Sequence, residues 1–272
     1  MTTLVTGGAG SLGKIVCEKL IAKGQKVRAM DINESALASM NYDEKLFTPL
    51  YGDIRDFTRV NFAAIGCDYI IHTAAMKNLV VTERNIPEIN KTNIIGTENV
   101  MEAAIQQGCK AAVMMGTDKS VDSCSAYGVS KSAAEWVWHH GGNISDKTRF
   151  FVVRSGNFLK SAGNVFELWD DLYAWGKPLP LTDARMMRYF IKTEDVADIL
   201  IESLQFGLTG DIIIPEMKEE NMYELLMSLY PDATINIVGM RAGERLSHNL
   251  VAEDEVLVMK YDKYSIYRKG DK

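Results

Sequence analysis

Thr6-Gly7-Gly8-Ala9-Gly10-Ser11-Leu12-Gly13 follows a short apolar run, Leu4-Val5, and leads straight into Lys14 to Lys23. Apolar residues at 12, 15, 16 and 20 recur at helical spacing. The order is therefore strand, glycine turn, helix, which is the setting a dinucleotide-binding turn requires. Gly7 permits the tight turn off the strand, and Gly10 lets bare backbone approach a pyrophosphate. Gly13 lets the helix lie close on the sheet, while the helix N-terminus offers free N–H groups and a partial positive charge to the anion.

Working outward, the chain has the composition of an ordinary globular protein: 272 residues, 47% hydrophobic and 24% charged. Its net charge of −6 argues against nucleic acid as a partner and does not suggest a membrane surface. Cys17, Cys67, Cys109 and Cys124 are scattered with no CxxC pair, as expected of reduced thiols in a cytoplasmic protein. The four histidines show no metal-ligand spacing, so no metal is expected. No run is apolar for long enough to span a bilayer, and no signal peptide is expected.

Lys23-Gly24 stops the first helix, and Gln25 to Met30 reads as a second strand ending in Asp31. An acid at that point is placed to accept hydrogen bonds from the adenosine ribose, and it would repel a 2′-phosphate. NAD is therefore expected in preference to NADP. Lys45 to Tyr51 reads as a third strand, with Asp53 near the adenine and Asp56 capping the next helix. Tyr69 to His72 is a buried strand whose small followers, Thr73-Ala74-Ala75, suit close approach of a cofactor. A long helix is expected within Ile86–Gln107, a strand at Ala111–Met115, a helix at Ala126–His140 and a strand at Phe150–Arg154. Steady alternation of this kind predicts an α/β fold with a doubly wound parallel sheet. Residues 1–155 read as the Rossmann domain. Beyond Ser155, Gly156, Gly163, Gly176, Pro178 and Pro180 punctuate shorter elements. Residues 156–272 read as a smaller substrate-binding lobe interleaved with the last elements of the sheet, and Arg268 to Lys272 as a loose end.

Tyr127-Gly128-Val129-Ser130-Lys131 carries the chemistry. Positions i and i+4 share a helix face, so the lysine ammonium is expected beside the phenol, lowering its pKa. A tyrosine so tuned can take the proton of an alcohol while its carbon gives up hydride. Thr117, just past a strand end, is placed to hydrogen-bond the same hydroxyl.

The chain resembles the extended short-chain dehydrogenase/reductase family, and within it the inverting UDP-N-acetylglucosamine 4,6-dehydratases. The resemblance rests on the glycine turn, Gly52-Asp53-Ile54-Arg55-Asp56, His72 to Lys77, Lys91-Thr92-Asn93-Ile94 and Thr117-Asp118-Lys119 with Tyr127 and Lys131. It continues through Arg154-Ser155-Gly156-Asn157, Thr182 to Phe190 and Gly239 to Leu246. It implies NAD held by Gly7, Gly10, Ser11, Leu12, Gly13, Asp31, Asp53, Ile54, Ala74, Ala75, Lys77, Asn93, Tyr127 and Lys131. It implies a UDP-sugar held by Lys77, Asn157, Arg185, Arg188, Arg241 and Glu244, and a homo-oligomer. In the implied reaction Tyr127 accepts the C4 hydroxyl proton, Lys119 removes the C5 proton and a protonated Asp118 donates to the departing C6 hydroxyl. Asn78, Ser155, Ala242, Arg245 and Ser247 depart from that branch's usual residues, as does Asp31-Ile32. The other readings are a C4-epimerase, a reductase that consumes NADH and an NAD-binding regulator without catalysis.

Overall fold

A computed structural model describes residues 1–159, 164–241 and 243–270; Gly163 and Ala242 lie outside them. Strand and helix alternate through β1 (Thr2–Thr6), α1 (Ser11–Ala22), β2 (Lys26–Asp31), α2 (Glu34–Ala38), β3 (Phe47–Tyr51), α3 (Phe57–Ala64) and β4 (Tyr69–His72). Asn33 and Asp56 cap α2 and α3, their side chains accepting from the N–H of Ala36 and Arg59. After α4 (Leu79–Thr82) comes the expected long helix, but it is not regular. α5 (Ile86–Ile89) and α6 (Gly96–Gln106) are joined through a π-helical stretch, Asn90–Ile95. Gly108, at φ 64°, ends it. Then come β5 (Ala111–Thr117), a 3₁₀ turn at Asp118–Ser120, α7 (Ala126–Ile144) and β6 (Arg149–Ser155).

The second half adds β7 (Asn157–Phe158), α8 (Val165–Ala174), β8 (Leu179–Leu181), β9 (Met187–Ile191), α9 (Thr193–Phe206) and β10 (Ile212–Pro215). β11 (Lys218–Asn221), α10 (Met222–Leu229), β12 (Ile235–Ile237), β13 (Glu255–Lys260) and β14 (Tyr264–Lys269) complete it. Nine strands form one sheet in the order β13-β14-β10-β6-β5-β4-β1-β2-β3. From β3 to β10 all neighbours are parallel, and β14 and β13 extend the edge antiparallel. Arg268 and Lys269 are therefore not a loose end: they belong to β14, and Arg268 donates to the buried Asp211 at 2.6 Å. Of that end, residues 271–272 fall outside the described ones.

Alternation along the strands makes two cores. Val5, Ile71, Val113, Phe151 and Val153 face α1 and α9 on one side of the sheet. Leu4, Ile70, Met114, Phe150 and Val152 face α3, α6 and α7 on the other. Fully buried strands of this kind need no polar face, which is why they read as continuous apolar runs. A third cluster, around Trp169, Leu179, Phe190 and Leu226, gives the residues after β6 a small core of their own. α9, β10, β13 and β14 return from that half to the main sheet.

Candidate active site

The strand order reverses between β1 and β4, and ligands of open α/β sheets bind at that crevice, beyond the carboxyl ends of the strands. The glycine turn lines it. Gly7, at φ 68°, approaches the β4 loop so closely that a Cβ would lie 2.7 Å from the Ala74 nitrogen. A Cβ on Gly13 would lie 2.1 Å from the Gly7 oxygen. Gly10 is the N-cap of α1 and no side chain caps that helix, leaving its positive end for an anion. Asp31, at the end of β2, accepts the Ala9 N–H at 3.1 Å and the Asn33 N–H at 2.9 Å. Its carboxylate thus stands directly beside the turn. These residues fit an adenine dinucleotide: bare backbone for the pyrophosphate, a carboxylate for the ribose.

Other residues expected at the cofactor serve as framework. Asn93, 1% exposed in the π-helical stretch, bonds both Met76 N and Met76 O and donates to Ser130 Oγ at 2.9 Å. Its amide ties the Ala74–Lys77 loop to α7. Single π-turns often mark functional sites for this reason. Ile54 is buried against Gly96, and the Asp53 carboxylate is engaged by Arg55 at 2.6 Å. Lys77 faces Glu167 of α8, and burial lowers its pKa.

Beyond β5 the expected catalytic residues converge. Tyr127 bonds Thr117, and Lys131, 4% exposed, donates from Nζ to Met115 O at 2.7 Å. Burial pushes the Lys131 ammonium down to about 8, against the pull of Glu135. The expected lowering of the tyrosine by this lysine is not what the geometry does. Burial and then Asp118 raise the phenol above its ordinary value, and only the Thr117 hydrogen bond lowers it. The ammonium is directed to a main-chain oxygen, not to the phenol.

Asp118 is fully buried, and its Oδ1 accepts from Thr117 Oγ1 and from Lys119 Nζ, both at 3.0 Å. Its Oδ2 is buried with no hydrogen-bond partner. Burial favours the protonated form, yet Lys119, His248 and the two hydrogen bonds outweigh it and hold the carboxyl below the usual range. In the free protein, Lys119 thus opposes the protonated form expected of Asp118. Lys119 also donates to Asn157 Oδ1 at 3.2 Å.

This pair opens on a cleft of about 570 Å³, lined among others by Lys119, Asn157, Arg188, Arg241, Glu244 and His248. Arg188 is anchored by the main-chain oxygens of Met187, Arg245 and Leu246. Glu244 accepts the Arg241 N–H at 2.9 Å. Gly243, at φ 79°, lets the loop lie on Ser125 at the head of α7. Arg185 and Lys77 are the exceptions: neither lines the cleft, and Arg185, 75% exposed, is held by Asp183 through two hydrogen bonds. Sequence reasoning missed His248, whose irregular loop carries no periodic signal. It also missed Glu135, although Tyr127, Lys131 and Glu135 continue one i, i+4 stripe. Among the described residues no cluster of histidine, cysteine, aspartate or glutamate forms a metal site.

A glycine-turn crevice beside a Thr–Tyr–Lys constellation defines a nicotinamide-dependent enzyme of the short-chain dehydrogenase/reductase class. Within that class the chain belongs to the polysaccharide biosynthesis protein family, whose sequence model matches residues 3–269. It is 34% identical over 269 residues to the UDP-N-acetylglucosamine 4,6-dehydratase (inverting) of Campylobacter jejuni strain 81-176, covering 96% of this chain and 80% of that one. It is 31% identical over 273 residues to a UDP-glucose 4-epimerase of Rickettsia bellii, covering 94% and 79%. Among solved structures, the dTDP-glucose 4,6-dehydratase DesIV of Streptomyces venezuelae, with NAD bound, superposes with a TM-score of 0.83. That structure is 25% identical and covers 92% of this chain and 88% of its own.

Proposed function

We propose that the protein is a nucleotide-sugar 4,6-dehydratase, a lyase that converts UDP-N-acetylglucosamine to a 4-keto-6-deoxy sugar with inversion at C5. The observation that carries this reading is the Asp118–Lys119 pair, closed at 3.0 Å, with Lys119 lining the cleft and Asp118 acting electrostatically on Tyr127. A C4-epimerase needs only the redox groups and has no use for this pair.

Tyr127 accepts the C4 hydroxyl proton, with Thr117 bonding the same hydroxyl and Lys131 anchored at Met115 behind it. A nicotinamide held at the glycine turn would supply a reversible hydride acceptor for C4 oxidation and for the return of hydride to C6. A ketone at C4 acidifies the C5 proton, so a modest base suffices to remove it. Asp118 and Lys119 meet that need once the ionised pair is corrected for the reaction. Moving one proton along their hydrogen bond yields a neutral carboxylic acid and a free amine. Exclusion of water by the sugar favours that neutral pair over two buried charges. The Lys119 amine then takes the C5 proton and the Asp118 acid protonates the departing C6 hydroxyl, which leaves as water; when hydride returns to C6 a solvent-derived proton adds to C5 from the opposite face, which inverts that carbon.

Arg188 and Arg241 suit the diphosphate and Glu244 the uridine ribose; Asn157 suits the sugar, and Lys77, on the loop after β4, is assigned to it by the family resemblance. Residues 1–155 hold the cofactor and 156–272 the sugar nucleotide. Asp31 favours NAD over NADP. Exposed Ile95, Val129 and Trp136, on adjoining helices, support a homo-oligomer, which light scattering of the purified protein would read as a multiple of the 30.3 kDa chain. Four free cysteines, three of them buried, suit the cytoplasm.

The test is mass spectrometry and NMR of UDP-N-acetylglucosamine incubated with the enzyme in heavy water. Loss of one water with deuterium at an inverted C5 is expected. An unchanged mass with a C4 epimer would replace this reading by the epimerase, the activity named for the Rickettsia relative.

A further inference from the structure

The 3₁₀ turn that carries Asp118 and Lys119 is only three residues long, and it cannot hold two opposed side chains by its own hydrogen bonding. Ser123 Oγ braces its carbonyl side, 3.0 Å from Lys119 O and 2.9 Å from Ser120 O, and Glu135 of α7 supports it through side chains. Ser120 Oγ lies 2.6 Å from Thr117 O and 2.8 Å from Glu135 Oε1, its single proton shared between two acceptors. On the other flank of the turn, a Cβ on Gly116 would lie 2.7 Å from the same Glu135 oxygen. One carboxylate therefore touches both ends of the Thr117–Lys119 segment. The second Glu135 oxygen accepts from Arg154 Nη2 at 2.6 Å, and Arg154 is itself gripped by both oxygens of Glu255 at 2.7 and 2.9 Å. Arg154 is 2% exposed, Glu135 6% and Glu255 7%. Charges buried to this degree are tolerated only when paired, and paired geometry of this kind is stiff.

We propose that Glu135 is the positioning residue of the dehydration pair: backed by Arg154 and Glu255, its carboxylate sets the Asp118–Ser120 turn through Ser120 and Gly116. The inference rests on the dehydratase reading but assigns a role to a residue that touches neither sugar nor cofactor. It also separates the two halves of the reaction. Lys131 is anchored independently to Met115 in the sheet, and Tyr127 is borne by α7, so oxidation at C4 does not depend on the turn being held at Ser120. Elimination does.

The variants are Ser120→Ala, which cuts the link while leaving the Glu135 charge, and Glu135→Gln, which leaves Arg154 paired with Glu255. Ser120→Thr restores the hydroxyl, and a cavity of about 250 Å³ beside Ser120 has room for its methyl. With UDP-N-acetylglucosamine in heavy water, reduced cofactor is followed by absorbance and C5 deuterium by mass. Ser120→Ala and Glu135→Gln are expected to reduce cofactor within about threefold of the wild-type rate, with KM little changed. Deuterium uptake and water loss should fall about 100-fold, the penalty of a displaced catalytic group, and Ser120→Thr should recover most of it. Parallel loss of both half-reactions, or loss of neither, would overturn the assignment. Should the wild type dehydrate nothing, the functional reading fails on that control, and positioning is decided by crystal structures of wild type and Ser120→Ala. Separation of Lys119 Nζ from Asp118 Oδ1 beyond about 4 Å in the variant alone supports it; an unchanged 3.0 Å contact overturns it.

Discussion

Lys131 shows what the site costs at the scale of a residue. Its ammonium is buried with a main-chain oxygen for a partner, and burial lowers it from 10.5 to about 8. Between those values the unfolded chain binds more protons than the folded one, so stability rises with pH through that window and the penalty is complete below it. The shift corresponds to roughly 3 kcal/mol at neutral pH. Lys131→Met should therefore be more stable than wild type at about pH 7, by roughly 2 kcal/mol once the lost hydrogen bond is subtracted. That advantage should vanish near pH 10, as urea denaturation at the two pH values would show, while activity falls. An equal advantage at both would contradict the buried charge. Tyr127→Phe removes the proton acceptor and should lower turnover about 10²- to 10⁴-fold with cofactor affinity retained, measured by steady-state rates and cofactor titration. Tyr127 and Lys131 were legible because both lie on one helix, where i and i+4 fix the face. Their electrostatics were not, because desolvation depends on what the rest of the chain places around them.

At the scale of an element, α1 and its glycine turn are one object. Gly13 stacks the helix on the turn with no space for a methyl group: a Cβ would meet Gly7 O at 2.1 Å and Gly8 Cα at 2.8 Å. Gly13→Ala should lift the helix, cost about 1–3 kcal/mol and weaken cofactor binding by tenfold or more, at about tenfold per 1.4 kcal/mol. Gly24→Ala is the contrast. Gly24 holds φ 71° in open space at the far end of the helix, so it should lose about 1 kcal/mol of stability and leave cofactor affinity untouched. Thermal melts with cofactor titrations distinguish the two. The helix on Ile86–Gln107 was likewise legible as a helix, but its π-helical stretch was not. That irregularity exists to bring Asn93 against Met76 and Ser130, partners that a local pattern does not reveal.

For the molecule as a whole, the buried chain Glu135–Arg154–Glu255 ties the catalytic helix through β6 to β13, joining residues 101 positions apart. Removing one member leaves a buried charge short of a partner. Glu255→Ala should cost about 3–5 kcal/mol, whereas Lys269→Ala, on the partly exposed end of the same cluster, should cost under about 1 kcal/mol. Denaturant midpoints would check both, and equal costs would refute the view that burial sets the value of these pairs. The hairpin of β13 and β14 is thereby a structural part of the site and not an appendage of the sheet.

Taken by itself, the sequence determined the parallel sheet and the glycine turn between β1 and α1, and it singled out Asp31, Thr117, Tyr127 and Lys131 for the roles proposed above. All of these are written in short-range periodicity, in which strand, turn and helix impose their spacing on neighbouring residues. Only the tertiary structure decided that Lys119 meets Asn157 38 positions away, that Arg188 faces the cleft while Arg185 does not, and that Lys119 and His248 lower the pKa of the buried Asp118. Those outcomes depend on which charges are buried together, and burial is a property of the packed chain, not of any segment within it.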